Sequence, residues 1–361
     1  MVGKKKFGIV ITVLDYALKI LDVSTLSSLE ELNDVLTSWQ SNFNLGRGPL
    51  HAVGYLYGYE DGSSRIFFAL HHLIVDAVSW RILTEDLKSL YYSITIEESE
   101  DSNKLLVTRK GTSYRQWAEI VTSYAATHEE ERSYWDNVIV DIKESNNKLE
   151  QVRASSTSSE FSSTSISSSI LSYAYSSFSL DKEVTSKLLK ESNRAYNTEV
   201  NDLLLSALGL SLNQIIGSNV NHITLEGHGR EEGISNKPLD ISRTVGWFTT
   251  MYPVRLEVGR DANGVVTLAN TIKYIKELLR QVPNKGIGFG SIIGYQERLL
   301  PKISFNYLGQ LDQNKDSISD DDSNNKANNT YKIWNITDEF SGISVNSKNY
   351  DRSIINITIY S

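Results

Sequence analysis

No apolar run in this sequence is longer than a β-strand. Ile66–Leu70 is typical, and runs of that size alternate with stretches whose apolar residues recur at helical spacing. A chain patterned this way must stack helices against sheets, and none of its runs reaches the length of a membrane span. The alternation keeps no strict strand–helix–strand rhythm. The expected fold class is therefore α/β with mixed sheets rather than a single parallel sheet. With 361 residues the chain is long enough for two lobes.

The local signals place the elements. Ser24–Gln40 reads as a helix from Leu29, Leu32, Val35 and Leu36, and Ser79–Tyr91 as another from Trp80, Leu83 and Leu87. His51–Tyr59 and Arg65–His71 read as strands joined at Glu60-Asp61-Gly62. Ser113–Tyr124 reads as a helix whose Ser113 and Gln116 form a capping box. Asp181 caps a helix reaching about Arg194, and Glu199–Ile216 is a long helix ended by Gly217. His222–Glu226, Met251–Glu257 and Ile303–Leu308 read as strands, and Leu268–Gln281 as a helix stopped by Pro283.

Composition narrows the function classes. The 36 basic and 44 acidic residues leave a net charge of −8, against a free-standing nucleic-acid binder. There is no cysteine, so disulfides, thiolate nucleophiles and cysteine-based metal centres are excluded, and a reducing, cytoplasmic setting is expected. The opening MVGKKKFGIVITVLDY is basic and then apolar, but no small-residue cleavage site follows and Asp15 interrupts it. A strand entering the fold is expected there rather than a signal peptide. Ala154–Ser169 is dominated by Ser and Thr and reads as a linker between lobes, and Asp312–Asn329 as a solvated loop.

Five segments can carry chemistry. In His71-His72-Leu73-Ile74-Val75-Asp76, two histidines follow a strand and precede a helix. They are either proton-transfer groups or a satisfied core pair, with Asp76 a helix cap or an organiser of the loop. Glu226-Gly227-His228-Gly229-Arg230-Glu231 follows a strand, so Glu226 can serve as a base. A tight glycine turn with solvated charges explains the same residues. His71, His72, Glu226 and His228 match no zinc spacing. Trp247, Phe248 and Thr249 precede a strand and form either a binding wall or plain aromatic core. Pro283–Gly290 is glycine-rich, yet it follows a helix and lacks a Lys-Ser/Thr pair, unlike a phosphate loop. In Phe305–Gln310, Asn306 and Tyr307 can donate hydrogen bonds into a site or belong to a buried strand.

Taken in order, these segments resemble the epimerization domains of nonribosomal peptide synthetases, members of the condensation-domain superfamily. The resemblance runs through FNLGRGPL (43–50), HHLIVDAVSW (71–80), NDLLLSAL (201–208), EGHGRE (226–231), RTVGWFTTMYPV (243–254), PNKGIGFG (283–290) and FNYLGQ (305–310). The HHxxxD pattern is common to the superfamily, whereas EGHGRE and FNYLGQ resemble its epimerizing branch. The resemblance implies two chloramphenicol-acetyltransferase-like lobes forming a V around a central tunnel. They would be residues 1–153 and 170–361, joined by 154–169.

It also implies a substrate: an aminoacyl or peptidyl thioester on the phosphopantetheine arm of a peptidyl carrier protein, with neighbouring synthetase domains as further partners. No bound cofactor or metal, no nucleic acid and no membrane are implied. His72 and Glu226 would be the proton-transfer groups, supported by His71, Asp76, Asn306 and Tyr307, with Asp76 orienting the motif through an ion pair. Ser79, Trp80, His228, Arg230, Trp247, Phe248 and Thr249 would line the tunnel. The family's opening segment is not found before FNLGRGPL and the ending INITIYS resembles a strand cut short, so the first lobe is expected to be incomplete. The competing expectations are a peptide-bond-forming condensation domain and an inactive module that only docks a carrier.

Overall fold

The computed structural model describes residues 18–95, 111–157, 174–309, 336–337, 339–346, 348–349 and 353–361. The expected strand at the opening and the expected loop at 312–329 lie outside these residues. The chain groups into two compact units. One comprises Met1–Leu105, Val245–Trp247 and Asn324–Tyr350, the other Leu106–Thr244, Phe248–Ser323 and Asp351–Ser361. The sequence draws the boundary at 154–169 instead. Residues 111–153 thus group with residues 174–244, and α4 (Arg132–Thr157) runs through the first four positions of the expected linker.

In the first unit β1 (Lys19–Asp22), β2 (His51–Tyr57) and β3 (Arg65–Leu70) form a sheet, parallel between β1 and β2 and antiparallel between β2 and β3. Helix α1 (Leu29–Gln40) begins later than its apolar pattern predicts, because Ser28 caps it by accepting from the Glu31 amide. Its Leu32 and Leu36 pack with Ala52, Leu56, Phe67 and Ala69 of the sheet. Distant sequence joins this unit: Arg65 pairs with Glu339 at 2.8 Å, and the Gln40 side chain donates to the Ser341 carbonyl. Helix α2 (Ala77–Thr95) follows the histidine segment.

In the second unit α3 (Tyr114–Ser123) carries the expected capping box of Ser113 and Gln116. Helix α4 is not among the elements expected from the sequence. Its fully buried residues, Trp135, Ile142 and Leu149, come only once every seven positions, and charged residues fill much of the rest. Next come α5 (Lys182–Lys190), capped by Asp181, and α6 (Val200–Ile216), ended by Gly217 in the left-handed region. Strands β4 (Val220–Gly227) and β5 (Thr250–Glu257) are antiparallel, and α7 (Leu268–Arg280) follows them. Strands β6 (Ile303–Tyr307) and β7 (Ile355–Ile359) complete a mixed sheet in the order β5-β4-β6-β7. Pro253 sits in β5, which is an edge strand among the described residues, so its missing N–H costs the ladder nothing on the open side. Helices α4, α6 and α7 cover β4 and β5, burying Trp135, Leu205, Ile223, Leu256, Ile275, Phe289 and Phe305.

Candidate functional site

The first unit holds the histidine segment at the end of β3. His71 is tied to the backbone: its amide donates to the Leu50 carbonyl at 2.8 Å, and its Nδ1 accepts from the Leu73 amide at 3.1 Å. His72 starts a short 3-10 turn and is exposed, with its ring 5.4 Å from that of Trp247. The two neighbours therefore have different surroundings, one spent on the loop and one presented beside an indole. Asp76 is buried and acts as a helix cap, with Oδ1 accepting from the Ser79 amide at 2.7 Å. A backbone amide thus engages one oxygen of this carboxylate.

Ser79 is a correction to the expected tunnel lining. It is fully buried and clamps Gly246, donating to its carbonyl at 2.9 Å and accepting from its amide at 3.0 Å. That reciprocal pair holds Trp247 beside His72. Trp80, Trp247 and Thr249 remain half-buried.

The second unit holds Glu226 at the end of β4. Register explains its surroundings. Leu225 of β4 stands beside Phe305 of β6 in a parallel pair, so the next position brings Glu226 and Asn306 to one face. Asn306 Nδ2 donates to Glu226 Oε2 at 2.7 Å. Tyr307, one residue on, faces the other way. Its hydroxyl lies 3.2 Å from Ser361 Oγ and its ring packs on the core. The two expected supporting residues of this segment thus lie on opposite faces of β6, Asn306 against Glu226 and Tyr307 toward Ser361.

The loop after Glu226 is built from its own side chains. The Arg230 guanidinium donates to the carbonyls of Ile241 and Thr244 at 2.9 and 2.8 Å and lies 3.9 Å from the Phe248 ring centroid. Phe248 is buried against Tyr114 and Trp117. Both residues, expected in the tunnel wall, are consumed in holding the loop. His228 is exposed. Its Nδ1 accepts from the Arg230 amide and its Nε2 lies 3.3 Å from Glu231. Gly229 has φ +65°, and a Cβ there would stand 1.8 Å from the Phe248 carbonyl oxygen, so only glycine fits. Sequence reasoning gives Tyr252 and Lys285 no role. Tyr252 lies under Gly227, and burial pushes its phenol above the ordinary value, with Glu231 adding to the effect. Lys285 reaches Glu231 at 3.3 Å.

The Pro283–Gly290 segment is no phosphate cradle. A Cβ on Gly286, Gly288 or Gly290 would strike Tyr252, Glu131 or Tyr295, so the chain's own side chains fill the space each glycine leaves. Among the described residues, no group of three or more His, Cys, Asp and Glu side chains is placed to hold a metal. No helix among them is long and apolar enough to cross a membrane.

A family model described as "Condensation domain" matches residues 6–351. The chain belongs to the condensation-domain family of nonribosomal peptide synthetases. It is 39% identical over 297 residues to N-(5-amino-5-carboxypentanoyl)-L-cysteinyl-D-valine synthase of Penicillium rubens, covering 81% of this chain and 7% of that protein. It is 37% identical over 294 residues to gramicidin S synthase 1 of Brevibacillus brevis, covering 76% of this chain and 24% of that protein. The chain thus spans a small part of each relative.

The epimerization domain from the third module of tyrocidine synthetase B superposes with a TM-score of 0.70 at 27% identity, covering 96% of this chain and 71% of that one. The first condensation domain of the calcium-dependent antibiotic synthetase superposes with a TM-score of 0.53 at 15% identity, covering 81% and 62% respectively. The fold is the chloramphenicol-acetyltransferase-like fold of this superfamily, with the mixed sheets expected from the sequence.

Proposed function

We propose that this member of the condensation-domain family is an epimerization domain. It would interconvert L and D configurations at the α-carbon of an aminoacyl or peptidyl thioester held on a peptidyl carrier protein. The observation that carries this reading is the 2.7 Å hydrogen bond from Asn306 to Glu226. It joins EGHGRE and FNYLGQ, the two segments that resemble the epimerizing branch. The superposition on an epimerization domain at 0.70, against 0.53 for a condensation domain, supports the same choice. So does the D-valine in the product named for the Penicillium relative, although this chain matches only 7% of that enzyme.

The chemistry asks for two groups. The α-hydrogen of a thioester is weakly acidic, so one group takes the proton and a second returns one to the opposite face. We assign these roles to His72 and Glu226; the reverse direction exchanges them. Proton removal leaves an enolate, whose oxygen needs hydrogen-bond donors while the charge is there. Asn306 orients the Glu226 carboxylate, and the Ser79 clamp holds Trp247 beside His72. The phosphopantetheine arm enters as part of the substrate, and the carrier protein and adjoining synthetase domains are the partners in this reading.

The test is α-proton exchange. A carrier protein loaded with an L-aminoacyl phosphopantetheine thioester is incubated with the chain in deuterated water, and deuterium at the α-carbon is followed by mass spectrometry. The expected result is uptake above the enzyme-free control, lost in His72→Ala or Glu226→Ala. Exchange retained in both variants refutes the assignment. Amide formation between two loaded carriers without exchange makes the chain a condensation domain. Carrier binding with neither reaction makes it a docking module.

A further inference from the structure

The geometry points to Glu131 and Asn284 as positioning residues for the loop that carries Glu226, an inference that rests on the proton-transfer role proposed for that carboxylate. Glu131 is buried at the start of α4, where a carboxylate is costly unless its oxygens are satisfied. Here it is satisfied threefold. It accepts from the Tyr124 hydroxyl, from Trp135 Nε1 at 3.4 Å and from Asn284 Nδ2 at 2.8 Å. Asn284 also donates to the Tyr124 hydroxyl. Two of these partners are fully buried: Trp135 contacts Tyr252 and Phe289 edge-on, and Tyr124 stacks on His128.

The bond to Asn284 supports an unfavourable backbone. Asn284 and Lys285 have φ of 40° and 48°, two consecutive non-glycine residues in the left-handed region. Such residues persist where the surroundings over-determine them. The glycines add to that control. A Cβ on Gly288 would stand 1.9 Å from Glu131 Oε2, and one on Gly286 2.0 Å from the Tyr252 ring. The turn is therefore locked to the α3–α4 end of the unit.

From the turn, two contacts reach the loop after Glu226. The Tyr252 ring lies between Gly286 and Gly227, the residue next to Glu226, with a Gly227 Cβ placed 3.3 Å from Tyr252 Cε1. Lys285 Nζ lies 3.3 Å from Glu231 Oε1 at the far end of the loop. Both ends of residues 227–231 are thus referenced to one buried carboxylate. Neither Glu131 nor Asn284 contacts Glu226, so their effect is on where that group stands.

The experiment combines hydrogen–deuterium exchange with kinetics on the full chain. Glu131→Gln replaces one of two accepting oxygens by an NH2, which must then face a donor, either Asn284 Nδ2 or Trp135 Nε1. The expected result is faster exchange in 226–231, by about fivefold or more, with 220–225 unchanged. The α-proton exchange rate constant is expected to fall about 10- to 100-fold while KM for the loaded carrier changes less than about twofold. The swapped pair Glu131→Gln with Asn284→Asp restores donor facing acceptor and is expected to recover both readouts. Loosening of 283–290 with no change in 226–231 overturns the inference, as does failure of the swapped pair to recover. If Glu131→Gln does not fold, Lys285→Ala carries the test: its side chain is largely exposed, and faster exchange in 226–231 supports the coupling while no change overturns it. If the wild-type chain performs no α-proton exchange, the proposed function fails, and the exchange of 226–231 still decides the positioning role.

Discussion

Acid is expected to destabilise the second unit through one histidine. His222 lies in β4, 3% exposed, and neither ring nitrogen meets a hydrogen-bond partner among the described residues. Burial lowers its value from 6.5 to about 4; Asp141 opposes the shift and Arg255 adds to it. Ser145 Oγ accepts from its main-chain amide, leaving the imidazole itself unsupported. Between about pH 7 and about pH 4 the unfolded chain binds more protons than the native one, so stability is lost as pH falls through that window. From 6.5 and about 4, the loss at about pH 5 is about 2 kcal/mol.

Replacing His222 by leucine, of similar volume, removes both the titration and the unpartnered nitrogens. The assay is urea unfolding followed by tryptophan fluorescence at about pH 7.5 and about pH 5. Trp117 and Trp135, in the same core, report on this unit. His222→Leu is expected to be at least as stable as wild type at the higher pH, since it no longer buries unpaired polar atoms. Its advantage is expected to widen by about 2 kcal/mol at the lower pH. An advantage that does not widen refutes the reasoning, because every other titrating group is common to the two proteins.

Asp76→Ala removes the buried cap of α2 and is expected to cost roughly 1–2 kcal/mol in thermal denaturation. Ser79→Ala leaves both backbone groups of Gly246 without this partner at a cost of roughly 1–3 kcal/mol, and a change in indole fluorescence reports the released Trp247. Arg230→Lys keeps a cation for the two carbonyls, which both accept from Nη1, but loses the planar group stacked on Phe248, so roughly 0.5–1 kcal/mol of stability is expected to be lost in urea. Gly229→Ala forces a Cβ into the Phe248 carbonyl and is expected to abolish α-proton exchange while far-ultraviolet circular dichroism stays native-like.

Much of the local structure is legible in the residues because its causes are local. Ser113 with Gln116, Asp181 and Gly217 mark helix ends through contacts spanning only a few residues, and each acts as expected. His51–Tyr57 and Arg65–Leu70 alternate as paired strands should. Helix α4 escapes notice because a helix covered along a narrow stripe needs few apolar residues, and the cue at Trp135, Ile142 and Leu149 is sparse. Nothing in Glu129-Glu130-Glu131 says which carboxylate is buried. That depends on Tyr124, Trp135 and Asn284 converging on the third.

The sequence alone determined the α/β class, most helix ends and the segments that mark the family, since these depend on composition, period and short-range spacing. Tertiary structure decided which residues meet. Strand period is two, so the alternation in Phe305–Tyr307 is visible, but which alternate set faces Glu226 depends on the β4–β6 register. That register puts Asn306 on Glu226 and sends Tyr307 toward Ser361. The same holds for Ser79, Arg230 and Phe248, whose residue types suit a binding wall. They are spent inside the fold because Gly246, the carbonyls of Ile241 and Thr244, and the rings of Tyr114 and Trp117 arrive from distant parts of the chain. Burial and hydrogen-bond partnership are properties of the packed chain, and no local pattern encodes them.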